Sequence, residues 1–122
     1  MANPNIIILY VDDPAASVAF YEGLLGVPPM VASPGFASFR LESGFSLGLW
    51  ARSSVKPVPA EAGARTELAF MVRGAAAVEA LYADWKGRGL PIEQELTTMD
   101  FGPTFVALDP DGHRLRGCLF DE

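Results

Sequence analysis

Apolar positions along the chain fall into two repeating blocks. In the first, a short apolar run from Ile6 to Leu9 leads into a stretch where Val18, Tyr21 and Leu25 recur at helical spacing. In the second, Val78, Leu81, Tyr82 and Trp85 draw the same kind of stripe. The blocks align at an offset of half the chain. Val11 answers Val72, Ala15 answers Ala76 and Ala16 answers Ala77; Phe20 answers Leu81, Tyr21 answers Tyr82, Leu24 answers Trp85 and Gly26 answers Gly87. Self-similarity at a fixed period marks a repeated supersecondary unit.

Each block predicts a strand, a helix and a glycine stop. Asp12 or Asp13 is placed to cap the first helix, Pro14 suits its first turn, and Gly26 with Pro28 ends it. The second helix is predicted over about Ala75 to Lys86, stopped by Gly87 and Gly89. Short strands follow each helix. In the first half they fall near Pro29–Ser33, Phe36–Glu42 and Phe45–Trp50, with Ser43-Gly44 as a tight hairpin turn. In the second they fall near Ile92–Thr98, Thr104–Leu108 and His113–Leu119, the last two joined by Asp109-Pro110-Asp111-Gly112.

The pattern therefore reads as α+β: two βαβββ repeats, about 5–50 and 66–119, joined by a Pro-, Ser- and Ala-rich linker at about 51–64. A four-stranded sheet with one helix leaves a face uncovered. The two mixed sheets are expected to pair around a cleft lined from both halves.

Bulk properties narrow the partners. A chain of 122 residues suits one domain, spanning 1–122. The net charge of -6 disfavours nucleic acid and anionic membrane surfaces. Cys118 is the one cysteine, so no internal disulfide is expected, and the N-terminal apolar run is too short for a signal segment or a span. A cytoplasmic location is the expectation. No Ser-His-Asp order, phosphate loop or CxxC stands out, and Gly23, Gly26 and Gly35 form no dinucleotide fingerprint.

Val11-Asp12-Asp13 followed by Ser17, then Phe20-Tyr21 and Leu25-Gly26, with Asp109-Pro110-Asp111-Gly112 before a strand, resembles the vicinal oxygen chelate superfamily. That group includes glyoxalase I, extradiol dioxygenases and bleomycin-resistance proteins. Leu9-Tyr10-Val11, Leu49-Trp50, Asp100-Phe101-Gly102 with Thr104-Phe105, and His113 with Arg116 and Cys118 most resemble phenazine-antibiotic resistance proteins, which bind a planar drug without destroying it. The resemblance implies a glyoxalase-like fold and a homodimer.

In metal-using members, ligands come from four equivalent strand positions. The resemblance maps these to Ile6, Gly48, Glu67 and Arg116. One carboxylate cannot hold a divalent ion alone, and Arg116 puts a fixed positive charge where the ion would sit. No metal and no other cofactor is expected. Glu67 and Arg116 instead read as an ion pair, filling that space or meeting a polar group of a ligand.

The leading expectation is a metal-free binder of a small planar aromatic compound, acting by sequestration in antibiotic resistance. Trp50 would stack the ring in a slot left by Gly48, Glu67 and Arg116 would make polar contacts, and Tyr10, Phe101 and Phe105 complete the ligand-binding set. Phe101 is assigned to a polar loop at Thr97–Pro103, Trp85 to the core, and the lone histidine, His113, to a strand start. The alternatives are a metal-independent lyase or isomerase with Glu67 as general base, and a structural or regulatory dimer.

Overall fold

A computed structural model describes residues 5–56, 58 and 66–120. The chain divides into two compact units, Met1–Glu61 and Ala62–Glu122. In the first, β1 (Ile6–Val11) leads to α1 (Pro14–Leu25), followed by β2 (Val31–Ala32), β3 (Phe36–Arg40) and β4 (Ser46–Ala51). In the second, β5 (Glu67–Val72) leads to α2 (Ala75–Gly87), followed by β6 (Ile92–Met99), β7 (Gly102–Leu108) and β8 (Arg114–Leu119). The strand orders are β1-β4-β3-β2 and β5-β8-β7-β6. In each sheet the first strand pairs parallel with the last, and the other neighbours are antiparallel. The βαβββ repeat read from the sequence is the architecture of both units.

Local chemistry explains the helix ends. Asp13, rather than Asp12, caps α1: its Oδ1 accepts from the Ala15 N–H at 3.1 Å. Pro14 occupies the first turn, and Gly26 ends the helix at φ 72, a left-handed conformation that glycine adopts without a Cβ penalty. On α2 the capping position is Gly74, which offers no side-chain acceptor.

One face of each sheet is buried against its helix. In the first unit Leu9, Val11, Ala37, Phe39, Leu47 and Leu49 are buried, and α1 packs on β3 and β4 with Tyr21 fully buried. Burying a side chain of that size contributes about 1.5–3 kcal/mol. In the second unit, Trp85 on α2 stands edge-on to Phe70 and Phe105, with ring centroids 4.9 and 5.3 Å away, and Tyr82 stands 5.3 Å from Phe105. The core role assigned to Trp85 is therefore its place.

Four boundaries differ from the sequence-based expectation. The strand expected at Pro29–Ser33 shortens to Val31–Ala32, bounded by the Met30 and Ser33 N–H groups bonded to Ser38 O and Phe36 O and then by Pro29 and Pro34, which bring no N–H. The first hairpin is wider than a two-residue Ser43-Gly44 turn: the Leu41 N–H bonds Phe45 O and the Gly44 N–H bonds Leu41 O, both at 2.8 Å. The polar loop expected at Thr97–Pro103 is mostly strand, with only Asp100 and Phe101 between β6 and β7. Of the linker expected at 51–64, Ala51 belongs to β4, Arg52–Ser54 form a 3-10 turn and Val55 is buried, while residues 57 and 59–64 lie outside the described residues.

Candidate ligand-binding site

The sheet faces turned away from the helices carry the candidate residues. In the second unit β8 runs between β5 and β7. Arg116 pairs with Ala69 on one side and Val106 on the other, so its side chain rises on the face opposite the helix. Ala69 brings only a methyl group there, and Glu67, two residues earlier on β5, reaches the guanidinium. Arg116 Nε donates to Glu67 Oε1 at 2.7 Å. Arg116 Nη1 donates to Gln94 Oε1 at 3.2 Å and to Thr104 Oγ1 at 3.1 Å. The Thr104 hydroxyl, fully buried, donates to the Gly117 carbonyl at 2.7 Å. Three acceptors on three strands thus fix a guanidinium that remains partly exposed, 18% for its side chain.

Phe101 stands at the tip of the β6–β7 hairpin, 53% exposed, with its ring centroid 5.9 Å from Arg116 Cζ. That distance lies at the outer limit of a cation–π contact. Phe101 also borders a groove of about 400 Å³ with Arg73, Leu119 and Phe120, where the Arg73 guanidinium lies 4.3 Å from the Phe120 ring centroid. A larger cavity of about 550 Å³ at the start of α1 contains none of the candidate residues, and its one ionisable group, Asp13, is the helix cap.

In the first unit the corresponding face has Ser46 and Arg40 beside Ile6 and is apolar toward Tyr10 and Trp50. Ile6, Ile8 and Tyr10 are each 41% exposed, and Trp50 is half-buried beside them. Trp50 pairs with Tyr10 on β1 and Phe36 on β3, and its ring meets Tyr10 edge-on at 6.3 Å.

Two sequence-based assignments are corrected. Gly48 leaves no slot for a ring: a Cβ there would lie 3.2 Å from Ile8 Cγ1 and 3.2 Å from Phe36 Cζ, so neighbouring side chains already fill the space. Phe105 is not on the ligand face. It is fully buried on the helix side, against Tyr82 and Trp85 and over Gly117. Glu67 and Arg116 are brought together with Phe101 beside them; Tyr10 and Trp50 are together on the first sheet. Thr104 and Gln94 were missed. Thr104 was legible from alternation once Phe105 is placed in the core. Gln94 was not, because the β6–β7 register shifts on both sides of it.

The donor set does not fit a divalent cation at the positions that bind one in metal-using relatives. Ile6 and Gly48 bring no ligand atom, Arg116 brings a cation, and one oxygen of the single carboxylate, Glu67, is held by that guanidinium. His113 sits in the turn before β8, its Nδ1 2.7 Å from Asp109 Oδ2. Asp109, Asp111 and His113 lie close enough to share an ion, within 4.8 Å. Their visible work is turn closure: Asp109 Oδ1 accepts the N–H groups of Asp111 and His113 at 2.9 and 2.8 Å. Cys118 is buried on the Arg116 face of β8. Among the described residues, no helix is long and apolar enough to cross a membrane.

Two four-stranded mixed sheets of one topology, each with its helix, define a class, and the sequence matches it. Residues 4–116 match the model of the glyoxalase/bleomycin resistance protein/dioxygenase superfamily, and the chain belongs to that family. It is 29% identical over 121 residues to the phenazine antibiotic resistance protein EhpR of Enterobacter agglomerans, covering 97% of this chain and 92% of that protein. The solution structure of a protein from Agrobacterium tumefaciens is 47% identical over the full length of both chains, with a TM-score of 0.89. A glyoxalase-related enzyme from Fulvimarina pelagi shares the fold at a TM-score of 0.83, with 22% identity over 98% of this chain and 89% of that one.

Proposed function

We propose that this protein binds a small planar aromatic compound without a metal ion and confers resistance by sequestering it. The observation that carries the reading is Arg116. Its guanidinium is locked by Glu67, Gln94 and Thr104, remains partly exposed, and has the uncovered Phe101 ring beside it. A preorganised donor next to an aromatic surface suits a flat molecule with a polar edge. The exposed Tyr10 and half-buried Trp50 offer further aromatic surface on the first sheet. The similarity to a phenazine resistance protein supports the ligand class. In this reading the working assembly is a homodimer.

The test is titration of purified, metal-stripped protein with phenazines, followed by calorimetry and tryptophan fluorescence. Trp85 is buried, so quenching by direct contact reports on Trp50. Saturable binding with a Kd on the order of micromolar is expected. Arg116→Met should weaken it at least about tenfold, the cost of losing a charged hydrogen-bond donor, and Trp50→Ala should abolish the quenching. Absence of heat and quenching with every phenazine would refute the reading.

A further inference from the structure

We propose that the Glu67–Arg116 pair selects a neutral ligand presenting a hydrogen-bond acceptor and a donor side by side, as a primary carboxamide does, over a carboxylate. The inference rests on the reading of Arg116 as a ligand contact and adds what that contact prefers.

The argument is a count of hydrogen-bonding atoms. Arginine carries five N–H donors. In Arg116, Nε is spent on Glu67 Oε1, and Nη1 is spent on Gln94 Oε1 and Thr104 Oγ1. The two N–H groups of Nη2 take no hydrogen bond among the described residues. Among the described residues Glu67 uses Oε1 alone, which leaves Oε2 able to accept. The supporting groups are engaged in holding the guanidinium and their own neighbours. Thr104 donates to the Gly117 carbonyl, and the Gln94 amide nitrogen points at Met99 Sδ at 3.5 Å. The pair therefore offers one donor atom and one acceptor atom, and its charges cancel.

That combination discriminates. A carboxamide oxygen accepts from Nη2 while its N–H donates to Oε2, so both free atoms are satisfied. A carboxylate can take the first bond, but its charge then meets the Glu67 carboxylate with no proton between them. Arg114, the nearest other cation along β8, is already paired with Glu93 and does not relieve that repulsion. An unsatisfied or repelled polar group at a partly buried site costs roughly a factor of ten or more in affinity.

Glu67→Gln makes the test sharp. The amide oxygen of the new side chain can keep the bond from Arg116 Nε, while its nitrogen turns the free acceptor into a donor. Two donors with a net positive charge fit a carboxylate, so the preference should invert. Calorimetry at pH 7 with phenazine-1-carboxamide, phenazine-1-carboxylate and unsubstituted phenazine measures this directly. The wild-type protein should bind the carboxamide roughly tenfold more tightly than the carboxylate, and E67Q should reverse the order. Equal affinity for all three compounds, or a wild-type preference for the carboxylate, overturns the inference and leaves aromatic binding standing. No binding of any of them overturns both. Should E67Q not fold by circular dichroism, the wild-type ranking still decides, and Glu67→Ala, which removes the acceptor, should erase the carboxamide's advantage.

Discussion

Gly117→Ala should damage the second unit, and the reason is local. A Cβ on Gly117 would stand 2.3 Å from Phe105 Cε1 and 2.7 Å from Cζ. Carbon atoms settle about 3.5–4.0 Å apart, so the ring would have to retreat by more than about 1 Å. It has nowhere to go: Phe105 is fully buried, with the rings of Tyr82 and Trp85 each 5.3 Å away. The backbone itself is no obstacle, since Gly117 is not among the glycines at positive φ. Overpacking of this kind costs about 1–3 kcal/mol or more. Loss of glycine's freedom in the unfolded chain returns about 0.4–1 kcal/mol. A net loss of roughly 2 kcal/mol follows, or a fall in Tm of roughly 5–10 °C for a chain of this length. Urea unfolding followed by circular dichroism measures it. Gly48→Ala is the control. Its Cβ would meet Ile8 and Phe36 at 3.2–3.3 Å, but these side chains are partly exposed and can yield, so the change should stay within about 0.5 kcal/mol. Phe105→Leu added to G117A should recover part of the loss in a double-mutant cycle. A G117A protein as stable as wild type would refute the packing described for β7, β8 and α2.

Thr104→Val keeps the shape and removes the hydroxyl that both braces Arg116 and bonds Gly117 O. The two lost bonds, less about 0.8 kcal/mol for the added methyl, predict a destabilisation of about 1–2 kcal/mol and weaker phenazine binding, with Thr104→Ser close to wild type; unchanged stability would sink the assigned network. The exposed Tyr82–Lys86–Glu95 cluster predicts a pH signature. The Tyr82 hydroxyl, then the Lys86 ammonium, hold the Glu95 carboxyl below its usual range, while hydrogen bonds to Tyr82 and Glu95 hold Lys86 above its own. Glu95's contribution is present above the ordinary carboxylate range and is lost as pH falls through the lowered folded value. Lys86's is present below the ordinary lysine range and is lost as pH rises through the raised one. The gap in urea midpoint between wild type and Tyr82→Phe should thus be flat near neutrality and narrow at both extremes; widening on acidification would contradict the cluster.

Most of the architecture was legible because it is written in local chemistry. Asp13 with Pro14 at one helix start and Gly26 at its end each depend on residues within a turn of one another, and the half-chain repeat copies such local patterns twice. The Glu67–Arg116 contact was legible only through a mapped family pattern, since it joins strands 49 residues apart in sequence. What failed was facing. Alternation gives two faces but not which one meets the helix, so Phe105 was put with the ligand and Thr104 was overlooked. Gln94 was beyond reach of the pattern, because the irregular register on either side of it re-aims its side chain. Gly48 was placed on the open face of its sheet, but the side chains over it come from β1 and β3, which no single strand's pattern reveals.

The two sheets show how one supersecondary unit comes to carry different chemistry. Ile6 and Glu67 occupy equivalent places at the start of the first strand in each repeat. Beside Ile6 the open face carries Ser46 and Arg40, and further along it Ile8, Tyr10, Phe36 and Trp50; around Glu67 it carries Arg116, Gln94 and Thr104. Shared topology therefore does not fix the chemistry of the face, and function has to be argued from the side chains. In the function proposed above, the ion pair serves recognition more than stability. Glu67 is 37% exposed, and pairs so open to water contribute about 0–1 kcal/mol to folding. The same exposure leaves a carboxylate oxygen and an arginine nitrogen within a ligand's reach. Affinity for a small polar edge, rather than thermal stability, is therefore the quantity that substitutions at Glu67 should move most.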